Sequence, residues 1–184
     1  MARLKGTNVS NTRAFIEKTF GAKGAAAVSA AMPKEMRDAL ESVVAVGWYP
    51  VEVHVALLRA IEQTLGTGDG AMLRRVGAQD AEYNITRIYR MLFRLANPGY
   101  VLEKSADLWA RFFDTGRWVI ERPTPSSAIA TLTDFAIVDP LYCTYLMAYF
   151  HRMFELVGAK SVHVHHTACR ARGASACRFE GHWR

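Results

Sequence analysis

Apolar residues recur at helical spacing through the first two thirds of the chain, then switch to strand-like alternation near residue 116. Residues 1–10 lack apolar periodicity and read as a partly ordered lead-in. A cap at Ser10 or Asn11, apolar Phe15, Ile16 and Phe20, and a stop at Gly21 predict a short amphipathic helix. The run A-A-A-V-S-A-A-M-P-K-E-M-R-D-A-L-E-S-V-V reads as two short helices separated near Pro33. V-G-W-Y-P then interrupts the pattern before a helix from about Val51 to Leu65. G-T-G-D-G at 66–70 has no Lys-Ser/Thr pair after it and no apolar strand before it, so it reads as a connecting loop and not a phosphate cradle. In the next helix Tyr83, Ile85, Ile88, Tyr89, Leu92 and Phe93 form a broad apolar band, with arginines at 87, 90 and 94, and N-P-G ends it. Tyr100 to Thr115 again has helical spacing, with Leu102, Trp109, Phe112 and Phe113 apolar and Gly116 closing it.

Beyond that point the period changes. R-W-V-I-E-R and S-A-I-A-T-L-T-D-F flank P-T-P-S-S as a hairpin whose prolines belong to its turn. A helix from Pro140 to about Val157 follows, with one polar stripe (Thr144, Ala148, His151, Arg152, Glu155) on an otherwise apolar surface that needs cover on both flanks. A final hairpin completes a β-β-α-β-β order over 116–184. The expected fold class is α+β: a helical layer (1–115) packed on an antiparallel sheet of two hairpins with an intervening helix, all within one domain spanning 1–184.

Composition narrows the class. The 184 residues are 51% hydrophobic and 22% charged, enough for one buried core, and no apolar run approaches the ~18 residues of a membrane span. The formal charge of +6 comes from basic residues scattered among acids, so neither nucleic acid nor a membrane surface is the expected partner. Arg170, Arg172, Arg178 and Arg184 are the one local excess, read as a solvated rim. No signal peptide is visible, and a cytoplasmic protein with reduced thiols is expected. His54 stands alone in its helix with no partner at metal spacing, and reads as a core or surface side chain.

The candidate chemistry lies in the tail, V-H-V-H-H-T-A-C-R-A-R-G-A-S-A-C-R-F-E, from Val162 to Glu180. Pairing about Gly173 sets Cys169 opposite Cys177, while His166 has the wrong parity to share their face unless the strand leaves strict pleating before Cys169. Upstream, Asp139 is an N-cap, Pro140 takes the first helical position, and Cys143 falls in the first turn, where the helix dipole favours a thiolate. Three thiolates and one imidazole would make a closed tetrahedral shell for a structural zinc ion. Two other readings stay open from the residues alone: a cross-strand disulfide between Cys169 and Cys177, or three small buried core residues.

The spacing C-x25-C-x7-C, an R-F-E strand after it, and a candidate ligand three residues before the second cysteine resemble the 4-vinyl-reductase-type domain. The match is more specific to the zinc-bearing sensory domain of phenol-responsive bacterial activators, and it covers residues 116–184 closely. The resemblance implies zinc held by Cys143, Cys169 and Cys177, with His166 where those domains have a glutamate. The wider superfamily, with haem nitric-oxide-binding domains and TRAPP-type subunits, implies a helical layer and a sheet around an apolar pocket. Phenol-sensing relatives use a His and Trp pair, and no histidine stands at the corresponding separation before Trp118. The Y-x-S-x-R motif of the haem relatives is also absent.

The expected function is therefore a non-enzymatic, stand-alone sensory or carrier domain that encloses a small hydrophobic molecule. Phe93, Trp109, Trp118 and Tyr145 are the expected lining, and a homodimer through the N-terminal helices is the expected assembly. The alternative is a dimeric scaffold or adaptor with a filled core. The ligand set has the wrong form for zinc hydrolysis, and no nicotinamide or flavin fingerprint occurs.

Overall fold

A computed structural model describes the backbone of residues 2–88 and 97–184, and the side chains of all of these except Arg87 and Ile88. The order of elements is β1 (Arg3–Lys5), α1 (Gly6–Ala31), α2 (Lys34–Glu41), β2 (Trp48–Pro50), α3 (Val51–Leu65), α4 (Ala71–Tyr83), a π-helical turn (Asn84–Ile88), α5 (Pro98–Glu103), α6 (Ser105–Ala110), β3 (Arg117–Thr124), β4 (Ser127–Thr133), α7 (Pro140–Leu156), β5 (His163–Ala168) and β6 (Cys177–His182). The α+β class expected from the pattern is the one observed. The main sheet is antiparallel in the order β3-β4-β6-β5, so the two hairpins join through β4 and β6.

The N-terminal lead-in departs from expectation. Arg3–Lys5 pairs antiparallel with Trp48–Pro50, Leu4 is fully buried, and the helix starts at Gly6, earlier than a cap at Ser10 would allow. One apolar residue between two basic ones carries no periodicity of its own, so only its distant partner defines the strand. Gly21 does break the helix as expected: it has φ 65° and ψ −172°, and the helix kinks there. Of the apolar stripe of α1, Ile16 is buried, while Phe15 and Phe20 are half-buried with the Arg75 guanidinium over their rings.

The helix expected over 100–115 is two shorter ones. Asn97 caps α5 through its side chain on the Tyr100 N–H (3.0 Å), Lys104 leaves helical geometry, and α6 ends at Ala110. The residues after it unwind because their backbone is claimed by β1: the Lys5 N–H bonds to the Phe112 carbonyl at 2.8 Å and the Asp114 N–H to that of Arg3 at 3.1 Å. Pro123 lies inside β3 and not in the turn, which is permitted because β3 is an edge strand.

The helical layer meets the sheet through α7, whose widest neighbour is α4. Gly77 is what lets them close: a β-carbon there would lie 2.3 Å from the Tyr145 carbonyl oxygen and 3.2 Å from the Tyr149 nitrogen. The principal core, including Leu57, Leu58, Ile61, Leu73, Val76 and Leu132, surrounds this contact. Replacing Gly77 by Ala should force the two helices apart and cost about 1–3 kcal/mol, read as a lower urea midpoint with an unchanged slope.

Candidate functional site

Three structures converge around α7: a thiol and imidazole cluster at its start, a buried polar network along its middle, and a cavity beside both. The first begins with the cap. The Asp139 carboxylate accepts the Leu141 N–H at 2.8 Å and is clamped by the Arg59 guanidinium at 2.7 Å, which orients the first turn and Cys143. At the other end, β5 shifts register between His166 and Ala168, so one extra residue enters the strand. This is the departure from pleating that the parity argument required. It brings His166 to the face shared by Cys177 and Phe179, and a short 3₁₀ turn closed at Gly173 (φ 92°) returns the chain from Cys169.

The four side chains expected to converge do so. Cys143 Sγ is 3.9 Å from Cys169 Sγ and 4.0 Å from Cys177 Sγ, and the donor atoms of Cys143, His166, Cys169 and Cys177 all lie within 4.8 Å of one another. All three cysteines, Cys169 and Cys177 included, are free, which removes the disulfide reading. Burial, then the neighbouring Cys177 and Cys169, push the Cys143 thiol well above its ordinary range. Burial, then the charge of Arg172, lower the His166 pKa against a backbone hydrogen bond at Ala168. His166 Nε2 is buried without a partner. In a neutral ring protonated on Nδ1, that Nε2 would present a lone pair.

The second feature had no counterpart in the sequence reading. Asp80 of α4 is fully buried, and its Oδ2 accepts from the Thr12 hydroxyl at 2.7 Å and the Tyr145 hydroxyl at 3.1 Å. Thr12 Oγ1 is also 3.0 Å from His54 Nε2, and His54 Nδ1 is 3.3 Å from the Tyr142 hydroxyl. One assignment satisfies the chain of contacts: Tyr142 donates to His54 Nδ1, His54 Nε2–H to Thr12, and Thr12 to Asp80. Of the two expected placements, core or surface, His54 takes the core, and it is hydrogen-bonded there. Burial pushes Asp80 up to about 7, opposed by the Thr12 and Tyr145 hydrogen bonds, and burial lowers His54 to about 3. Both are neutral over most of the acid range, so the core holds no unpaired charge there. The available signal was periodicity, since Asp80 lies on the same α4 face as buried Leu73, Val76 and Gly77.

The third feature is a cavity of about 130 Å³ between α7, the inner face of the sheet and α6. Trp109, Trp118 and Tyr145 line it, as expected, and Phe93 lies outside the described residues. Trp109 donates its indole N–H to the Thr115 carbonyl at 2.8 Å and meets Trp118 edge-on at 5.4 Å between centroids. Phe179 on β6, Trp183 just after it, and Tyr149 and Phe150 on α7 are wall residues that the sequence reading missed. No described side chain on the wall carries a charge.

No family model and no curated protein matches the chain. The fold is that of haem nitric-oxide/oxygen-binding (H-NOX) domains. An H-NOX protein from S. oneidensis in the Fe(II)NO ligation state superposes with a TM-score of 0.73 at 11% identity, covering 98% of this chain and 99% of that one. A mutant H-NOX protein from K. algicida, Fe(II) unliganded, gives 0.71 at 12% identity over 98% and 96%. An oxygen-binding H-NOX domain related to soluble guanylate cyclases gives 0.70 at 11% identity over 98% and 95%. At these identities the likeness is one of fold.

The expectation of structural zinc as the cofactor is corrected by these likenesses, because the solved proteins of this fold are described with Fe(II) and haem. The described residues of the cavity also lack the histidine or cysteine ligand of common haem sites. All six histidines are described and none lines the cavity, and its described wall has no cysteine, arginine or lysine to hold iron or pair with propionates. The cavity is also below the ~300 Å³ at which ordinary cofactor pockets begin.

The buried acid and imidazole give a pH signature. Asp80, raised from 3.8 to about 7, contributes stability that is whole below pH 4 and lost as pH rises towards 7. His54, lowered from 6.5 to about 3, contributes stability that is whole above pH 6.5 and lost as pH falls towards 3. Between about pH 4 and 6.5 the two slopes oppose each other. Asp80→Asn keeps an acceptor for Thr12 and Tyr145 and removes the charge. It should melt higher than the parent at pH 8, with a gap that shrinks by pH 5, and a gap of constant size would refute the assignment.

Proposed function

We propose that this chain is a sensory or carrier domain of the 4-vinyl-reductase-like type, whose cavity takes one small, uncharged hydrophobic molecule. The observation that carries the reading is the wall itself: aromatic and aliphatic side chains without a described ionised group, around about 130 Å³. Apolar cavities of roughly 150 Å³ stay dry and take benzene or xenon. A ligand of one ring or a few carbons therefore matches the space, and a charged one would lose its hydration without compensation. The sensor role is in keeping with the fold it shares with gas-binding H-NOX domains.

The cluster of Cys143, His166, Cys169 and Cys177 is proposed as a site for one thiophilic metal ion. Three buried thiols can ionise together only against a cation, and the lone pair of His166 Nε2 has no other use in the fold.

Titration of the purified protein with benzene should show saturable binding of one molecule per chain and a raised melting temperature. Gly181 lies on the wall, and a β-carbon there would meet nothing nearer than 3.8 Å. Gly181→Val should fill the cavity, keep the fold and abolish benzene binding, whereas undiminished binding would place the ligand elsewhere. Metal analysis of protein prepared without chelator should find close to one thiophilic ion per chain, reduced in Cys169→Ser. Three thiols that react at once with a disulfide reagent, with no metal bound, would sink that assignment.

A further inference from the structure

The inward face of β6 runs Cys177, Phe179, Gly181, with Trp183 next in the same parity. The first belongs to the thiol and imidazole cluster, and the other three line the cavity. Helix α7 repeats this order, with Cys143 in the cluster and Tyr145, Tyr149 and Phe150 on the wall. A strand and a helix therefore run side by side from one site to the other.

Phe179 is the point where the two sites touch. Its ring stacks on the His166 imidazole, 4.5 Å between centroids and 10° from parallel. On the cavity side it meets Phe150 edge-on at 5.5 Å and Trp118 at 5.9 Å. Close-packed interiors pass a displacement on to their neighbours, and a stack this near parallel cannot tilt at one ring without disturbing the other. We propose that filling the cavity is communicated to the four-residue cluster through Phe179, so that the cluster reports occupancy and the reactivity of its thiols is set by the ligand. The inference rests on the cavity being a binding site, and its physical basis is the differential contact that an occupant makes with the Phe179 ring.

Benzene is the probe. Its binding is measured first by titration, so failure of the cavity reading is seen before the coupling is tested, and absence of binding overturns both. With benzene bound, the protein as purified should react more slowly with a disulfide thiol reagent, by roughly 5-fold or more if the coupling has the ordinary size of communication between sites. In histidine-labelled wild-type protein, which needs no variant, benzene should shift the His166 ring signals and leave those of exposed His163, His165 and His182 in place. Benzene binding with no change in thiol rate and a stationary His166 signal would overturn the inference.

Discussion

Helix α7 and the surfaces that cover it are the constraint from which the other features follow. It is apolar on most of its circumference, so it is stable only when α4 lies on one side and the sheet on the other. Gly77 sets how near α4 comes, and that approach brings Asp80 within reach of the Tyr145 hydroxyl. On the opposite flank the same helix presents Phe150 to Phe179. The cluster at its first turn, the polar network along its middle and the cavity wall are three consequences of one helix being enclosed.

Two solutions to burying polar atoms stand within this layer. Asp80 and His54 are kept neutral, one by holding a proton and the other by refusing one; hydroxyls of Thr12 and Tyr145 reach Asp80 Oδ2 and those of Thr12 and Tyr142 reach the His54 ring, while Asp80 Oδ1 has no hydrogen-bond partner among the described residues. That arrangement joins α1, α3, α4 and α7 without placing an ion pair in the core, whose desolvation would cost more than it returns. The cysteine cluster takes the other course. Its sulfurs lie close together and buried, and burial with the neighbouring thiols favours the protonated form of Cys143.

The likeness to haem-bearing domains over nearly the whole chain, at about one residue in eight, separates what a fold fixes from what a site fixes. A helical layer on an antiparallel sheet leaves space where the two fail to touch. Which molecule enters depends on the side chains that face that space. Here Trp109, Trp118, Phe150 and Phe179 line it and no histidine does.

Periodicity in the sequence determined most of the elements: the Val51–Leu65 and Pro140–Leu156 helices, the break at Gly21, the two late hairpins, and hence the α+β class. These are local quantities, set by side-chain spacing, proline and caps, and each can be read within a window of a few turns. Parity alone required a bulge before Cys169, and one is present. The tertiary structure decided the rest. Strand β1 exists only because β2 lies beside it, the end of the predicted 100–115 helix unwinds because β1 claims its carbonyl at Phe112, and Asp80 is a network centre only because Thr12 and Tyr145 arrive from elsewhere. The spacing of the cysteines left a disulfide, a core and a metal shell open. Cys169 and Cys177 stand as free thiols, which closed the first, because the separation of residues remote in sequence is set by packing and not by pattern.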